Sequence, residues 1–267
     1  MQRWTPIRDP KVRDRLAKRY AAGSTLAVLA DEVGVTPAAL HYRFKAMGVK
    51  MRHSHRRINV DTKAFDHIKE EAAYWIGFLL ADGNISKDKK RIQMCLQSGD
   101  IRHVEKFKKF LSSPNKINHS RTRAAVHFSA TSPELVQALE KFGVVPQKSM
   151  SATGHVLTYS PAFWRGVVDG DGSLLWSHNK RRTPSPCIAL CGSLSLMQQY
   201  LKFINLFIST KAGVIKNGSI WQVRLSCSKA DAMIRMLYSN ASIALDRKAT
   251  RAQQLLSREN FGGQDAF

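Results

Sequence analysis

Twice in this chain an apolar run with helical spacing stops at an aspartate followed by a glycine. The first run reads Ala73-Tyr74-Trp75-Ile76-Gly77-Phe78-Leu79-Leu80-Ala81-Asp82-Gly83, and the second Phe163-Trp164-Arg165-Gly166-Val167-Val168-Asp169-Gly170-Asp171-Gly172. Such endings are helix stops by composition. Small residues recur four apart in each run, Gly77 with Ala81 and Gly166 with Gly170, so each pair shares one helix face. A face of that kind lets two helix backbones approach closely. Packed in parallel, the helices bring their C-terminal ends together, and Asp82 comes near Asp171. Two carboxylates at the negative ends of two helix dipoles repel each other. A hard divalent cation such as Mg²⁺ removes the conflict and accepts phosphate oxygens as further ligands. One copy alone would be no more than an apolar core helix ending in a turn. Two copies predict a metal site at the tip of a helix pair.

The overall charge says what would meet that tip. The 267 residues are 43% hydrophobic, enough for one large domain or a small one plus a medium one, and they carry a net charge of +22. Such an excess implies a polyanionic partner, nucleic acid or an anionic membrane surface. No apolar run approaches spanning length, and the N-terminus, with Arg3, Arg8, Lys11 and Arg13, has no apolar signal core. Double-stranded DNA is therefore the expected partner, without a membrane. The expected setting is the cytoplasm of a prokaryotic or phage-bearing cell, or an organelle. Cys95, Cys187, Cys191 and Cys227 form no metal-binding spacing. They are expected as small strand hydrophobes in a reducing compartment, with Cys95 and Cys227 buried.

Residues 1–49 read as three helices. Pro10 to Ala22 is stopped by Gly23, and Ser24 can cap a second helix through Val33. A turn at Gly34-Val35 leads to Thr36 as N-cap and a third helix from Pro37 to Met47. This order is a helix-turn-helix signature, with His41, Tyr42, Arg43 and Lys45 on the exposed side of the third helix to reach bases or phosphates. A three-helix bundle that is basic by accident, or that binds protein, is the competing interpretation. Residues 50–65 form a basic linker in which Arg52, Arg56 and Arg57 would track phosphates.

Two units of one plan follow, residues 66–154 and 155–258, with a tail at 259–267. In the first, strands are expected at Arg91–Gln97, Lys116–His119 and Ala124–Ser129, with helices from Asp100 to Leu111 and Pro133 to Phe142. In the second, strands are expected at Leu174–Ser177, Ser185–Leu190, Val214–Lys216 and Ile220–Ser226. Its helices are expected at Leu194–Ile208 and Lys229–Tyr238, and Asn217-Gly218 is a hairpin turn. Lys148 closes the first unit and Lys248 sits at the matching place in the second. The duplication predicts an α+β fold: the helix-turn-helix module, then pseudo-twofold αββαββα repeats whose antiparallel sheet forms a basic saddle. Phosphate or base contacts are expected from Lys87, Lys89, Arg91, Gln93, Arg121, Arg123, Lys180, Arg181, Arg182, Lys216 and Arg224.

The paired runs Trp75–Gly83 and Trp164–Gly172 resemble the motifs of LAGLIDADG homing endonucleases, in the monomeric form that carries both in one chain. The resemblance spans about residues 66–256. It implies cleavage of both DNA strands at a long asymmetric site, leaving short 3′ overhangs. It also implies metal binding by Asp82 and Asp171 with the backbone carbonyls of Ala81 and Gly170, and assistance to the chemistry from Lys148 and Lys248. Mg²⁺ or Mn²⁺ is the implied cofactor, with Ca²⁺ as a non-cleaving substitute. Where the family often has a second acid, this chain has Leu80 in the first copy and Asp169 in the second, which we take as structural. Gln93 or Gln97 could hold the attacking water in the first repeat, and the second offers no clear counterpart near Leu190. No histidine is adjacent in sequence to either acid, which argues against a histidine-based metal finger.

The expected function is therefore a metal-dependent, site-specific DNA endonuclease acting as a monomer. Two alternatives of other classes remain: a non-cleaving DNA-binding transcriptional regulator of the same fold, and an RNA maturase assisting intron splicing. The fate of function when both acids are removed separates them from the nuclease.

Overall fold

The computed structural model describes residues 9–51, 60–146, 155–179 and 182–258. The chain forms two compact units, Met1–Arg57 and Ile58–Phe267. Lys148, Arg52, Arg56, Arg57, Lys180 and Arg181 lie outside the described residues.

The first unit is three short helices, α1 (Pro10–Ala21), α2 (Leu26–Glu32) and α3 (Pro37–Ala46), around Leu16, Tyr20, Leu29, Ala30, Leu40 and Phe44. The Tyr20 and Phe44 rings meet at 5.5 Å between centroids. Side chains cap each start: Asp9 takes the Lys11 amide, and Thr36 takes the Ala39 amide at 3.2 Å. The cap of α2 is Thr25, not Ser24, because its Oγ1 accepts from the Val28 amide. Gly34 closes α2 at φ +64, where the Val35 amide donates to Ala30 O at 2.9 Å. Only glycine takes that left-handed turn without strain. Glu32 receives both Arg15 and Arg19 of α1, holding α2 against it.

In the second unit the two motif runs form α4 (Glu70–Asp82) and α7 (Pro161–Asp171). A Cβ added at Gly77 would lie 2.0 Å from Phe163 O, and one at Gly166 would lie 2.1 Å from Tyr74 O. At the far end a Cβ on Gly170 would meet Ala81 Cβ at 2.4 Å. The contacts advance together along both helices, so the pair is parallel and joined along its small-residue faces, as the spacing predicts. Each helix passes straight into a strand at its glycine, with ordinary φ of −80 at Gly83 and −86 at Gly172. Space, not backbone freedom, requires these glycines: a Cβ at either would fall 2.6 Å from the carbonyl oxygen four residues earlier.

After α4 come β1 (Gly83–Ile85), β2 (Arg91–Gln97), α5 (Ile101–Phe110), β3 (Asn118–His119), β4 (Ala125–Thr131) and α6 (Pro133–Glu140). After α7 come β5 (Gly172–Asn179), β6 (Arg182–Gly192), α8 (Leu194–Phe207), β7 (Ile215–Asn217), β8 (Ile220–Ser226), α9 (Cys227–Tyr238) and α10 (Asp246–Ser257). The sheets are antiparallel with matching strand orders, β1-β2-β4-β3 and β5-β6-β8-β7. In each, alternate residues enter one core shared with the helices, among them Ile92, Met94 and Phe128 in one and Ile188, Leu190 and Val223 in the other. Trp75 and Trp164 are wholly buried, Trp75 against His103 and Phe107, Trp164 against Tyr200 and Phe203. Strand β1 and helix α10 are elements the sequence patterns did not predict. Phe110 is only half-buried, at the end of α5.

Cys95 and Cys227 are exposed, contrary to expectation. Cys95 falls on the open side of β2, and Cys227 starts α9 at φ +54.

Overpacking the seam should be costly. Gly77→Ala and Gly166→Ala are each expected to destabilise by about 1–3 kcal/mol, lowering the melting temperature by several degrees. Gly213→Ala, where nothing lies within 4 Å of the new Cβ, should leave it within about a degree. Thermal unfolding of the three variants beside the parent checks this.

Candidate metal and nucleic-acid site

The helix pair ends with Asp82 and Asp171 exposed at adjacent tips. A Cβ on Gly170 would stand 3.4 Å from the Asp82 amide nitrogen, so the two chain ends touch there. Ala81 and Gly170 sit half-buried immediately before the acids. Two carboxylates at two helix C-termini form a set of hard oxygen donors that a divalent cation fits. Among the described residues no group of three or more His, Cys, Asp or Glu side chains could hold a metal. Further ligands beside the two carboxylates would be backbone carbonyls, water or phosphate oxygens.

One cation of the chain already stands at the tips. Lys248, in the first turn of α10, is 7% exposed and donates to Val168 O at 3.2 Å and to Gly172 O. Burial pushes its ammonium pKa below the usual lysine value, while the charges of Asp169, Asp82 and Asp171 pull it back up. Both motif acids therefore feel Lys248, which binds the last carbonyls of α7 where the helix dipole favours a cation.

What holds α10 in place is a buried network around Asp169. Its carboxylate accepts from the Tyr74 hydroxyl on α4, from the Tyr238 hydroxyl on α9 and from the Leu245 amide at the start of α10, each at 2.7 Å. Burial raises the Asp169 pKa, and the three donors and Lys248 oppose that rise. Burial and the Asp169 charge push both tyrosine hydroxyls well above their ordinary value. Arg165, 3% exposed, donates to Ile243 O at 2.7 Å, Leu237 O at 3.0 Å and Glu70 at 2.7 Å. Lys106 pairs with Asp246, and Arg247 pairs with Asp100 at 3.0 Å, tying α10 to the first half of the unit. Asp169 is thus a structural acid, as expected, while Leu80 at the same place in α4 is simply core.

Behind Asp82 a cleft of about 230 Å³ is lined by Asn84, Gln93, Cys95, His127 and Ser129. The Asn84 amide donates to Gln93 Oε1 at 2.8 Å. A histidine thus does share a cleft with a motif acid. His127 lies far from Asp82 in sequence, and only the β2–β4 register carries it there, opposite Cys95. Gln97 lies further along β2, opposite Ala125, and does not line this cleft. In the second half Gly172, Ser173, Lys248 and Arg251 line a cleft of about 570 Å³.

The candidate DNA contacts scatter more than the acids. His41, Tyr42, Arg43 and Lys45 are all exposed on α3. Arg91 and Gln93 share the open face of the first sheet, and Arg224 lies on that of the second. Arg121 and Arg123 are exposed between β3 and β4, as is Lys87 between β1 and β2. Lys89 instead pairs with Glu140 at 2.9 Å. Lys216 registers with Trp221, on the opposite side of the second sheet from Gln222 and Arg224, which removes it from the open face. Arg182 begins β6.

No protein-family model matches the sequence, nor does any curated protein. Solved structures do match in fold. The LAGLIDADG meganuclease I-AabMI bound to uncleaved DNA superposes with a TM-score of 0.53 over 72% of this chain and 91% of that one, at 14% identity. The LAGLIDADG homing endonuclease I-GzeII in complex with its DNA target gives a TM-score of 0.52 over 72% and 92%, at 15% identity. I-SmaMI, bound to an uncleaved DNA target in the presence of calcium ions, gives 0.51 over 73% and 94%, at 11%. The chain therefore has a mixed helical and antiparallel-sheet fold like that of DNA-bound LAGLIDADG endonucleases. Among the described residues no helix is long and apolar enough to cross a membrane.

The network predicts an acid sensitivity. Tyr74 gives its proton to Asp169, so its oxygen accepts from His103 Nε2 at 3.0 Å, and His103 Nδ1 is left without a partner. Burial, then Lys106, lowers the His103 pKa from 6.5 to about 3. Below pH 6.5 the unfolded chain binds a proton that the folded chain refuses, so stability falls as pH falls toward 3. Between pH 7.5 and 5 this should remove about 2 kcal/mol that a His103→Gln variant does not lose. Urea unfolding of both proteins at the two pH values measures the difference, and parallel curves would refute the assignment.

Proposed function

We propose that this protein is a site-specific, divalent-metal-dependent DNA endonuclease that cuts both strands of a duplex as a monomer. The observation that carries this reading is the glycine seam that brings Asp82 and Asp171 together at exposed helix tips, each next to a sheet with an open face. The fold likeness to DNA-bound meganucleases and the net charge of +22 support it. The two halves of matching strand order would form a pseudo-twofold saddle on the duplex, and α2 and α3 would act as a helix-turn-helix that lengthens the recognised site.

Asp82 and Asp171, with the carbonyls of Ala81 and Gly170, would hold the metal, Mg²⁺ or Mn²⁺, with Ca²⁺ binding without cleavage. When bound, it would activate water and neutralise charge at the scissile phosphates. The chain's own groups share the remaining tasks. Lys248 offers a fixed positive charge beside both acids, where negative charge grows on the phosphate oxygens. Lys148 would serve the other strand in the same way. Gln93, oriented by Asn84, can hold the attacking water in the first half. In the second half Ser173 takes the register position of Asn84, and Ala189 that of Gln93. Short 3′ overhangs are what the resemblance to LAGLIDADG endonucleases implies.

Replacing either acid tests the reading. Asp82→Asn and Asp171→Asn should each bind a selected target as the parent does and cut both strands about a thousandfold more slowly in Mg²⁺. Cleavage at the parent rate in either variant would refute it. Binding by gel shift and plasmid linearisation give the two readouts. The α3 contribution is separable: the pair Arg43→Ala and Lys45→Ala should weaken binding and flatten its dependence on salt, by up to about 0.9 in the log–log slope for each phosphate no longer neutralised.

A further inference from the structure

Register equates the open faces of the two sheets position by position. Gly83 stands opposite Met94 as Gly172 stands opposite Leu190. Counting from there, Arg91 corresponds to Cys187, Gln93 to Ala189 and Cys95 to Cys191. On the next strand His127 corresponds to Gln222 and Ser129 to Arg224, and on the edge strand Asn118 corresponds to Ile215.

The backbone is the same and the chemistry is not. The first face offers donors and acceptors: Arg91, Gln93, His127, Ser129 and Asn118. The second has Cys187, Ala189 and Ile215 at three of these five positions, of which Cys187 and Ala189 are buried and Ile215 exposed, and Leu175 and Ile220 extend the apolar area on its other strands. Ile215 is 64% exposed there, and Leu175, Cys191 and Ile220 are half-buried. The polar side chains that remain lean onto sulfur: Gln222 Nε2 donates to Cys191 at 3.3 Å and Arg224 Nε to Cys187 at 3.0 Å. Arg224 keeps its other nitrogens for an anion or a base edge.

A duplex half-site is the occupant that fits, because Arg224 and the chain's positive charge attract phosphates to a face whose exposed part also carries the apolar Leu175, Ile215 and Ile220 beside Ser173, Asn217 and Gln222. In the major groove one base-edge group is apolar, the 5-methyl of thymine. Resting on the DNA reading above, we propose that the second sheet recognises its half-site through thymine methyl groups on Leu175, Ile215 and Ile220. The first sheet recognises its half-site through hydrogen bonds to base edges. The target is thus asymmetric in kind as well as sequence, with a thymine-rich half beside Asp171.

The test starts from the full chain and a target selected from a randomised duplex library. A photocrosslinking amino acid placed at Asn217, on the open face of the second sheet, marks which half-site lies there. Thymines are then replaced by deoxyuridine in one half-site at a time, at fixed salt. Removing methyls beside the second sheet should weaken binding about fourfold for each methyl the sheet touches. The same replacement in the other half should change it less than twofold. Leu175→Asn with Ile215→Asn should abolish the deoxyuridine effect while preferences in the other half persist. Equal losses in both halves, or none beside the second sheet, overturn the inference and leave the nuclease reading standing. Failure to bind any duplex overturns both.

Discussion

The close approach of α4 to α7 is the constraint on which the rest depends. Gly77 and Gly166 each leave room for a carbonyl oxygen of the facing helix where any side chain would collide with it. That proximity is unusual for helices in water, which commonly pack 8–10 Å apart on larger side chains. It sets both helix tips side by side, and each helix runs directly into the first strand of its sheet. The positions of the acids and of both open faces are therefore fixed by one seam.

Around the seam lies a set of buried charges that connects parts far apart in sequence. Asp169 is satisfied by α4, α9 and the start of α10 at once. A buried carboxylate without those donors would be costly, and with them it becomes a junction that locks three helices. The same network places Lys248. Helix α10 is held by Asp169, by Lys106 through Asp246 and by Asp100 through Arg247, so the lysine meets the carbonyls of Val168 and Gly172 from a well-anchored helix.

The two halves show how little the backbone dictates the chemistry of the open faces. Strand order and register match, yet Gln93 becomes Ala189 and Asn118 becomes Ile215. Core-facing positions must stay apolar to fill the shared interior. Exposed open-face positions such as Arg91 and Ile215 carry no such packing demand, so their chemistry can differ between the halves.

Much was legible beforehand because it is local or periodic. The small residues spaced four apart, the aspartate–glycine endings, the caps at Thr36 and Ser132 and the hairpin at Asn217-Gly218 each encode their structure within a few residues. So the parallel helix pair, most of the strand and helix order of both halves and the adjacency of Asp82 and Asp171 could be read from the chain. Helix α10 could have been found too, since Ala249, Ala252, Leu255 and Leu256 follow helical spacing after Leu245. What no local pattern carries is pairing across distance. The meeting of His127 with the Asp82 cleft, the exposure of Cys95, the turning of Lys216 to the other side of its sheet and the closure of Asp169 on Tyr238 and Leu245 all depend on strand register and packing between elements. Those are set by the burial of whole faces, a quantity that exists only once the chain has folded.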